Sequence, residues 1–215
     1  MLGTEFFPLD ATNFGSTISK IQAAKPDWIM TILVGGGPIS FYRQFNAAGL
    51  SGKIPIASTT FSGANEQLVL TPEESNGVVV AYNYLQTLDN PVNKDFLKRL
   101  RAKFGADYPP ISDLTMASYQ GMLLWAAGIK KAGTLDREKV IEALESGISI
   151  DAPSGSVTLD PQTHHCIFDV HLAKMQDKQP ALIETFPQRK PADTAAVCDL
   201  KKNPRDAKQY IIKVM

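Results

Sequence analysis

Residues that bind metals or carry out redox chemistry are scarce in this sequence of 215 residues, which has two cysteines and three histidines. No CxxC or HxxxH pair occurs. His164 and His165 are adjacent, and neighbouring side chains on a strand point to opposite faces, so these two would not easily share one ion. The sequence therefore predicts neither a metal site nor a cofactor.

Nucleophile motifs are also lacking. Cys166 follows the two histidines, but no orienting acid and no glycine-framed elbow accompany it. We therefore expect no catalytic residue, and no enzyme. The even cysteine count permits a disulfide between Cys166 and Cys198 without requiring one, so the sequence leaves their pairing open.

Charge of one sign and long apolar runs are absent as well. The 22 basic side chains balance the 22 acidic ones, which argues against a surface that binds nucleic acid. The best apolar stretch, residues 122–129, falls well short of the ~18 residues that a membrane helix needs. The residues after Met1 show neither a basic nor an apolar signal region, so we recognise no signal peptide in this chain.

The first 85 or so residues do show a regular alternation of strand and helix patterns. Residues 28–34 form a near-continuous apolar run, which is typical of a strand that is covered on both faces. Short connections between alternating elements indicate a doubly wound parallel α/β layer. The predicted strands are residues 3–9, 28–34, 54–58 and 77–84, and the predicted helices are residues 14–25, 38–48 and 64–70.

The rest of the chain has a different pattern. Three helices follow one another over residues 91–104, 113–132 and 137–145, with no obvious strand for their apolar faces to cover. Strands are predicted again at residues 156–159, 166–175 and 181–186, before a polar tail. Both tryptophans, Trp28 and Trp125, lie on faces that the pattern predicts to be buried.

Three consecutive strand ends carry groups that suit a small polar ligand. The run Gly35–Gly37 leaves a strand and opens a helix, where a ligand can approach the backbone closely. Hydroxyl groups in Ser58–Ser62 and the tyrosines of Tyr82–Tyr84 follow the next two strands. Open α/β sheets bind ligands beyond their carboxyl ends. A tight turn would explain Gly35–Gly37 equally well, and a capped loop would explain Ser58–Ser62. The prediction of a ligand site therefore rests on the convergence of all three strand ends.

Several segments together resemble the type I periplasmic binding proteins, in the group that binds branched-chain amino acids, amides and urea. No single motif is specific, and the order of all of them carries the resemblance, which covers nearly the whole chain. The segments are Asn13–Ser16 with Ile21–Asp27, Phe45–Leu50, Asp151–Pro153 with Asp160–His165, and the tail from Lys190–Asp193 to Cys198–Leu200.

The resemblance implies two α/β lobes joined by crossover strands, with the ligand trapped between them. Residues 1–84 would form most of lobe two, and residues 85–165 the helical return into a lobe one whose sheet is missing. Residues 166–215 would hold the final crossover strands and the tail. The first part of the family's chain, which builds the lobe-one sheet, has no counterpart in this sequence.

The ligand contacts that the resemblance implies are limited to the lobe-two wall. Amino-acid-specific members place an acid after the third strand, and Ser58–Ser62 contains none. This argues against an α-amino acid and leaves amides, urea or aromatic acids open. The implied contacts are Val34, Gly35, Gly36, Gly37, Thr59, Thr60, Phe61 and Tyr84.

The function that the resemblance implies is that of an extracytoplasmic substrate-binding component of an ABC transporter. The full-length protein would be periplasmic, would close on a small solute and would dock on a membrane permease. The alternative is a cytoplasmic ligand sensor that regulates transcription through a partner protein. A chain that is only half of such a protein is expected either to be inert or to associate with itself to cover its exposed helices.

Overall fold

The structure is a computed structural model that describes residues 1–190, 199 and 202–210. Cys198, and with it the open question of its pairing with Cys166, lies outside the described residues. So does most of the tail segment that contributes to the family resemblance.

Helices and strands alternate in the first half of the described chain, and strands dominate its last part. A short 3₁₀ turn, Glu66–Leu68, follows the second strand. The elements, in chain order, are α1 (Gly15–Ala24), β1 (Ile29–Thr31), α2 (Gly37–Ala47), β2 (Ile56–Ser58), α3 (Pro72–Ser75), β3 (Val79–Tyr82), α4 (Pro91–Phe104), α5 (Asp113–Ala132), α6 (Arg137–Glu145), β4 (Ser149–Ala152), β5 (Gly155–Leu159), β6 (Cys166–Gln176) and β7 (Gln179–Arg189).

The seven strands form one sheet in the order β1-β2-β3-β6-β5-β4, with β7 paired to β6. The strands β1, β2 and β3 are parallel neighbours, as the sequence predicts, whereas the remaining pairs are antiparallel. The α/β class is thus confirmed.

Strand β6 joins the two parts of the sheet. Its first residues pair with β5, with Ile167 opposite Thr158, and its later residues pair with β3, with His171 opposite Tyr82. Along its other side β7 pairs with it almost throughout, with two register shifts near its middle. One unbroken strand therefore belongs to both parts.

Two separate apolar cores follow from this arrangement. The larger core lies around α1, α2 and the parallel strands, where Phe14, Phe41 and Phe45 bury their rings against one another. The smaller core lies under α4 and α5, where Phe96 and Met116 pack together with other buried residues. The larger core therefore holds α1 and α2 in place, and the smaller core holds α4 and α5.

Helix ends follow the capping signals in the sequence. Ser112 Oγ accepts a hydrogen bond from Thr115 N at the start of α5, and Asp136 Oδ1 accepts one from Lys139 N at the start of α6. The predicted bounds of the three consecutive helices therefore match the observed ones closely. The sequence pattern predicts a buried stripe of Met116, Tyr119, Leu123 and Ala127 on α5, whereas the buried residues are Met116, Gln120, Leu124 and Gly128.

One strand prediction in the N-terminal part is wrong, and another is confirmed only in part. Residues 3–9 pair with no strand in the described chain, because alternation indicates which face can pack but supplies no neighbouring strand. The run at residues 28–34 forms only the three-residue β1, and it is covered on one face. Trp28 and Met30 are each 58% exposed and Ile32 is 67% exposed. Trp125 is also half-exposed, so neither tryptophan belongs to the core.

The hairpin β4–β5 provides a sheet segment for the helices. Sequence reasoning missed β4, which spans only four residues. It pairs with β5 and contacts α5, so part of the sheet expected to be missing is present.

Candidate functional site

The three predicted strand ends lie at one edge of the sheet. Thr31 in β1 is level with Ser58 in β2, and Ser58 is level with Val80 in β3. Because these strands are parallel neighbours, the segments that follow them leave the sheet side by side. We call this side, where β1, β2 and β3 end, the carboxyl edge.

Hydrogen bonds connect the segments that leave the carboxyl edge. Thr60 Oγ1 donates to the Leu33 carbonyl at 2.8 Å, which joins the ends of β2 and β1. Tyr82 donates its hydroxyl to the Phe61 carbonyl, which joins β3 to the segment after β2. Ser58 Oγ accepts from the backbone N–H groups of Thr60 and Phe61 and holds that segment in a tight bend. The convergence predicted from sequence is confirmed.

The glycine turn, Gly35–Gly37, packs against the protein's own backbone. Gly36 N donates to the Leu9 carbonyl at 3.1 Å. Gly35 has a φ of +75°, and a Cβ atom at this position would lie 2.5 Å from the same carbonyl oxygen. Gly35 is thus required by a tight turn, while Gly36 has room for a side chain and lies exposed.

The predicted contact residues differ in how accessible they are. Val34, Gly35, Gly36 and Thr59 are exposed, Thr60 is half-buried, and Gly37, Phe61 and Tyr84 are buried. Phe61 places its ring edge-on against Tyr42 in the larger core, and the Tyr84 hydroxyl donates to Asn93 Oδ1 at 2.9 Å. The ligand-binding role of these residues stays a prediction, and the exposed ones are best placed to fulfil it.

A small open cleft borders the carboxyl edge, where Ser62 follows β2 and Tyr82 ends β3. We call it the Asp113 cleft, after the acid that α5 contributes to it. Its polar lining is Ser62, Asn65, Gln67, Tyr82, Tyr84, Gln86, Ser112, Asp113 and Gln179.

Sequence reasoning missed this cleft. The local pattern indicates only that Ser112 or Asp113 caps α5, and nothing in it shows that Asp113 faces the segment after β2. Only the chain's return past β3 brings the two together, and no periodicity in the sequence encodes that return.

Side-chain hydrogen bonds hold the start of α5 over the strand ends. Asn65 Nδ2 donates to the Pro110 carbonyl at 3.1 Å, and Gln86 Oε1 accepts from Ile111 N at 2.8 Å. Gln67 Nε2 donates to Asn65 Oδ1 at 3.2 Å, while Gln67 Oε1 is buried and has no hydrogen-bond partner among the described residues. The cleft is therefore built by specific side-chain contacts.

The electrostatics of the cleft reflect burial and clustered acids. Burial raises the pKa of Asp113, which forms no ion pair in the described part of the chain. Burial, followed by the nearby carboxyl groups of Asp113 and Glu66, raises the pKa of Tyr82. In the larger core, burial raises the pKa of Tyr42 to about 12. The tyrosine hydroxyls therefore stay neutral and act as hydrogen-bonding groups.

Across the residues that the structure describes, no group of three or more His, Cys, Asp or Glu side chains is arranged to hold a metal ion. Those residues include no helix with the length and apolar character needed to cross a bilayer.

The sequence profile of a family described as "Periplasmic binding protein" matches residues 1–180. The chain belongs to the periplasmic binding protein family. The family and the matched structures are non-enzymatic solute-binding proteins, which agrees with the absence of a catalytic motif in the sequence.

Individual relatives in the periplasmic binding protein family are distant. A Leu/Ile/Val-binding protein homolog 6 from Brucella melitensis is 24% identical over 175 residues, covering 78% of this chain and 43% of the relative. The Brucella suis homolog is 28% identical over the same coverage. This chain thus spans about half the length of the curated relatives it matches.

Solved structures of the same family superpose well. A solute-binding protein of an ABC transporter from Rhodopseudomonas palustris HaA2, in complex with p-hydroxybenzoic acid, has a TM-score of 0.73 and 28% identity, covering 88% of this chain and 53% of its own. A leucine-binding protein from Thermotoga maritima has a TM-score of 0.70 at 21% identity, covering 85% of this chain and 51% of its own, and supports the fold alone.

Proposed function

We propose that this chain is the lobe-two half of the substrate-binding component of an ABC transporter. The observation that carries the proposal is the carboxyl edge, where three parallel strands end side by side and leave exposed glycine and hydroxyl groups. A site of this kind holds a small polar solute through backbone and hydroxyl hydrogen bonds. The proposed classes of solute are those that the relatives and the family resemblance suggest: branched-chain amino acids, amides, urea or aromatic acids.

The remaining parts of the proposal follow from the family. In the complete protein a second lobe closes over the solute, and the closed form docks on a membrane permease in the periplasm. Residues 1–84 act as the lobe-two wall, residues 85–165 as the return into lobe one, and residues 166–215 as the last crossover and tail. The sheet's shared strand β6 supports this division, because it links the two parts directly.

A thermal-shift screen against the four solute classes tests the proposal. A bound solute raises the free energy of unfolding, by about 2.7 kcal/mol at a hundredfold excess over Kd. Val34→Arg should abolish the shift, because Val34 is exposed at the carboxyl edge.

The matched control is Leu135→Arg, at an exposed position beyond the far end of α5. Because α5 is 20 residues long, Leu135 lies about 30 Å from Asp113, which lines the cleft at the carboxyl edge. If no solute shifts the melting temperature, or if both variants respond alike, the proposal is wrong.

A further inference from the structure

One buried side chain, Asn93 in the first turn of α4, binds the segment that connects β3 to α4. This segment, residues 83–90, forms neither helix nor strand, and we call it the β3–α4 linker. Asn93 is only 1% exposed, and its Nδ2 atom donates to the carbonyls of Gln86 at 3.1 Å and of Leu88 at 2.8 Å. Its Oδ1 atom accepts from the Tyr84 hydroxyl at 2.9 Å. Both N–H groups and the oxygen of one carboxamide are thus bonded to the linker.

The β3–α4 linker is bonded in turn to two neighbouring elements. Gln86 Oε1 accepts from Ile111 N at 2.8 Å, just before the start of α5. Asn90 Nδ2 donates to the Pro153 carbonyl at 2.9 Å, in the turn between β4 and β5. The conformation of the linker therefore fixes where the start of α5 and the hairpin β4–β5 lie.

The β3–α4 linker also connects the two apolar cores. Leu85 belongs to the larger core and its neighbour Tyr84 to the smaller one, while Leu88 packs against both. A flexible connection would let each core open by itself, because parts of a protein with few shared contacts unfold locally. A connection with a fixed backbone transmits the opening of one core to the other.

We infer that Asn93 is a positioning residue, which holds the β3–α4 linker in one conformation and thereby couples the two cores. The coupling follows from the hydrogen bonds and the burial of this side chain. Its use in solute binding, where one lobe moves against the other, rests on the proposed function.

Amide hydrogen exchange of the full chain, followed by NMR, tests whether Asn93 holds the linker. Asn93→Asp keeps an oxygen that accepts from Tyr84, but it replaces the amide nitrogen with a second acceptor that faces two carbonyl groups. Because these carbonyls then lack a donor, the linker backbone should move away and Gln86 should release Ile111. The Ile111 amide should therefore exchange about tenfold faster than in the wild type.

A milder variant and a control accompany this substitution. Tyr84→Phe removes one hydroxyl and keeps the ring, so it should raise the exchange rate at Ile111 by about threefold. It replaces Asn93→Asp in both measurements if that variant does not fold. The matched control is Val140→Ala, at a buried position in α6. It creates a cavity away from the linker and should leave exchange at Ile111 as in the wild type.

Urea unfolding, followed at each tryptophan separately, tests the coupling. Trp28 lies just before β1 and Trp125 lies in α5. Trp125→Phe therefore leaves a fluorescence probe in the part with the larger core, and Trp28→Phe leaves one in the part with the smaller core. The two transitions should coincide when Asn93 is present. With Asn93→Asp, the probe in α5 should unfold at a lower urea concentration than the probe at β1.

The inference is overturned if Ile111 exchanges at the same rate in Asn93→Asp, Val140→Ala and wild type. It is also overturned if the two tryptophans report separate transitions when Asn93 is present, or coincident ones in Asn93→Asp. Neither measurement needs a solute. A failed solute screen therefore leaves this inference standing, and a failure of the inference leaves the proposed function standing.

Discussion

His171 is buried at the junction of the two sheet parts. Its Nδ1 atom lies 3.0 Å from Thr185 Oγ1, while Nε2 has no hydrogen-bond partner in the part of the chain that the structure describes. Burial lowers the pKa of this histidine, and the nearby Asp169 carboxylate opposes the shift without cancelling it. His171 therefore binds a proton more readily in the unfolded chain than in the folded one.

This difference predicts a pH-dependent loss of stability. Below the ordinary histidine pKa of 6.5, the unfolded chain binds a proton that the folded chain resists, so the free energy of unfolding falls as pH falls. The variant His171→Gln cannot titrate and should lose less melting temperature between about pH 8 and about pH 5.5. The exposed His165→Gln variant should follow the wild type. Equal pH profiles for wild type and His171→Gln would contradict the argument.

At the scale of elements, the turn between β1 and α2 depends on one glycine more than on its neighbours. Gly35 combines a left-handed backbone with a close approach to the Leu9 carbonyl, whereas the backbone of Gly36 has a φ of −81° and open space around it. The turn fixes where α2 starts and where residues 8–11 lie.

Matched alanine substitutions test this dependence. Gly35→Ala should lower the free energy of unfolding by at least about 1–2 kcal/mol, because the left-handed backbone alone costs that much. Gly36→Ala should stay within about 0.5 kcal/mol of wild type. Urea denaturation measures both, and equal effects of the two substitutions would contradict the observed geometry.

The elements that could be predicted are those with a local signal. Helices α4 and α6 have capping residues and clear periodicity, so their bounds follow from the sequence alone. The strand ends at Gly35, Thr60 and Tyr82 could be placed at one edge because parallel topology forces it. Residues 3–9 and the outer face of β1 could not be placed correctly, because their burial depends on neighbours and not on pattern. Gln67 and Asp113 meet only through tertiary contacts that no local sequence pattern encodes.

For the molecule as a whole, two apolar surfaces lie uncovered in the described structure. One is the outer face of the edge strand β1, with Trp28, Met30 and Ile32. The other is the outer side of α5, with Leu114 and Trp125. Exposed apolar surfaces of this kind mark places where another chain can bind.

The chain on its own is therefore expected to self-associate. Sedimentation analysis should show species larger than one chain, and Met30→Lys combined with Ile32→Lys should shift the distribution toward monomer, because a charged edge resists pairing. Leu135→Lys, at an exposed residue outside both surfaces, should leave the distribution unchanged. A monomeric wild-type protein at tens of micromolar would rule out this expectation.

The continuous strand β6 sets how the two sheet parts can turn relative to each other. The first residues of β6 pair with β5, and its later residues pair with β3. A rotation of one sheet part relative to the other must therefore twist the paired strands β6 and β7. The register shift between Phe168 and Val170 lies between these two paired segments and interrupts the regular hydrogen-bond ladder of β6 and β7 there. We therefore expect a relative rotation of the two sheet parts to concentrate at this irregular segment.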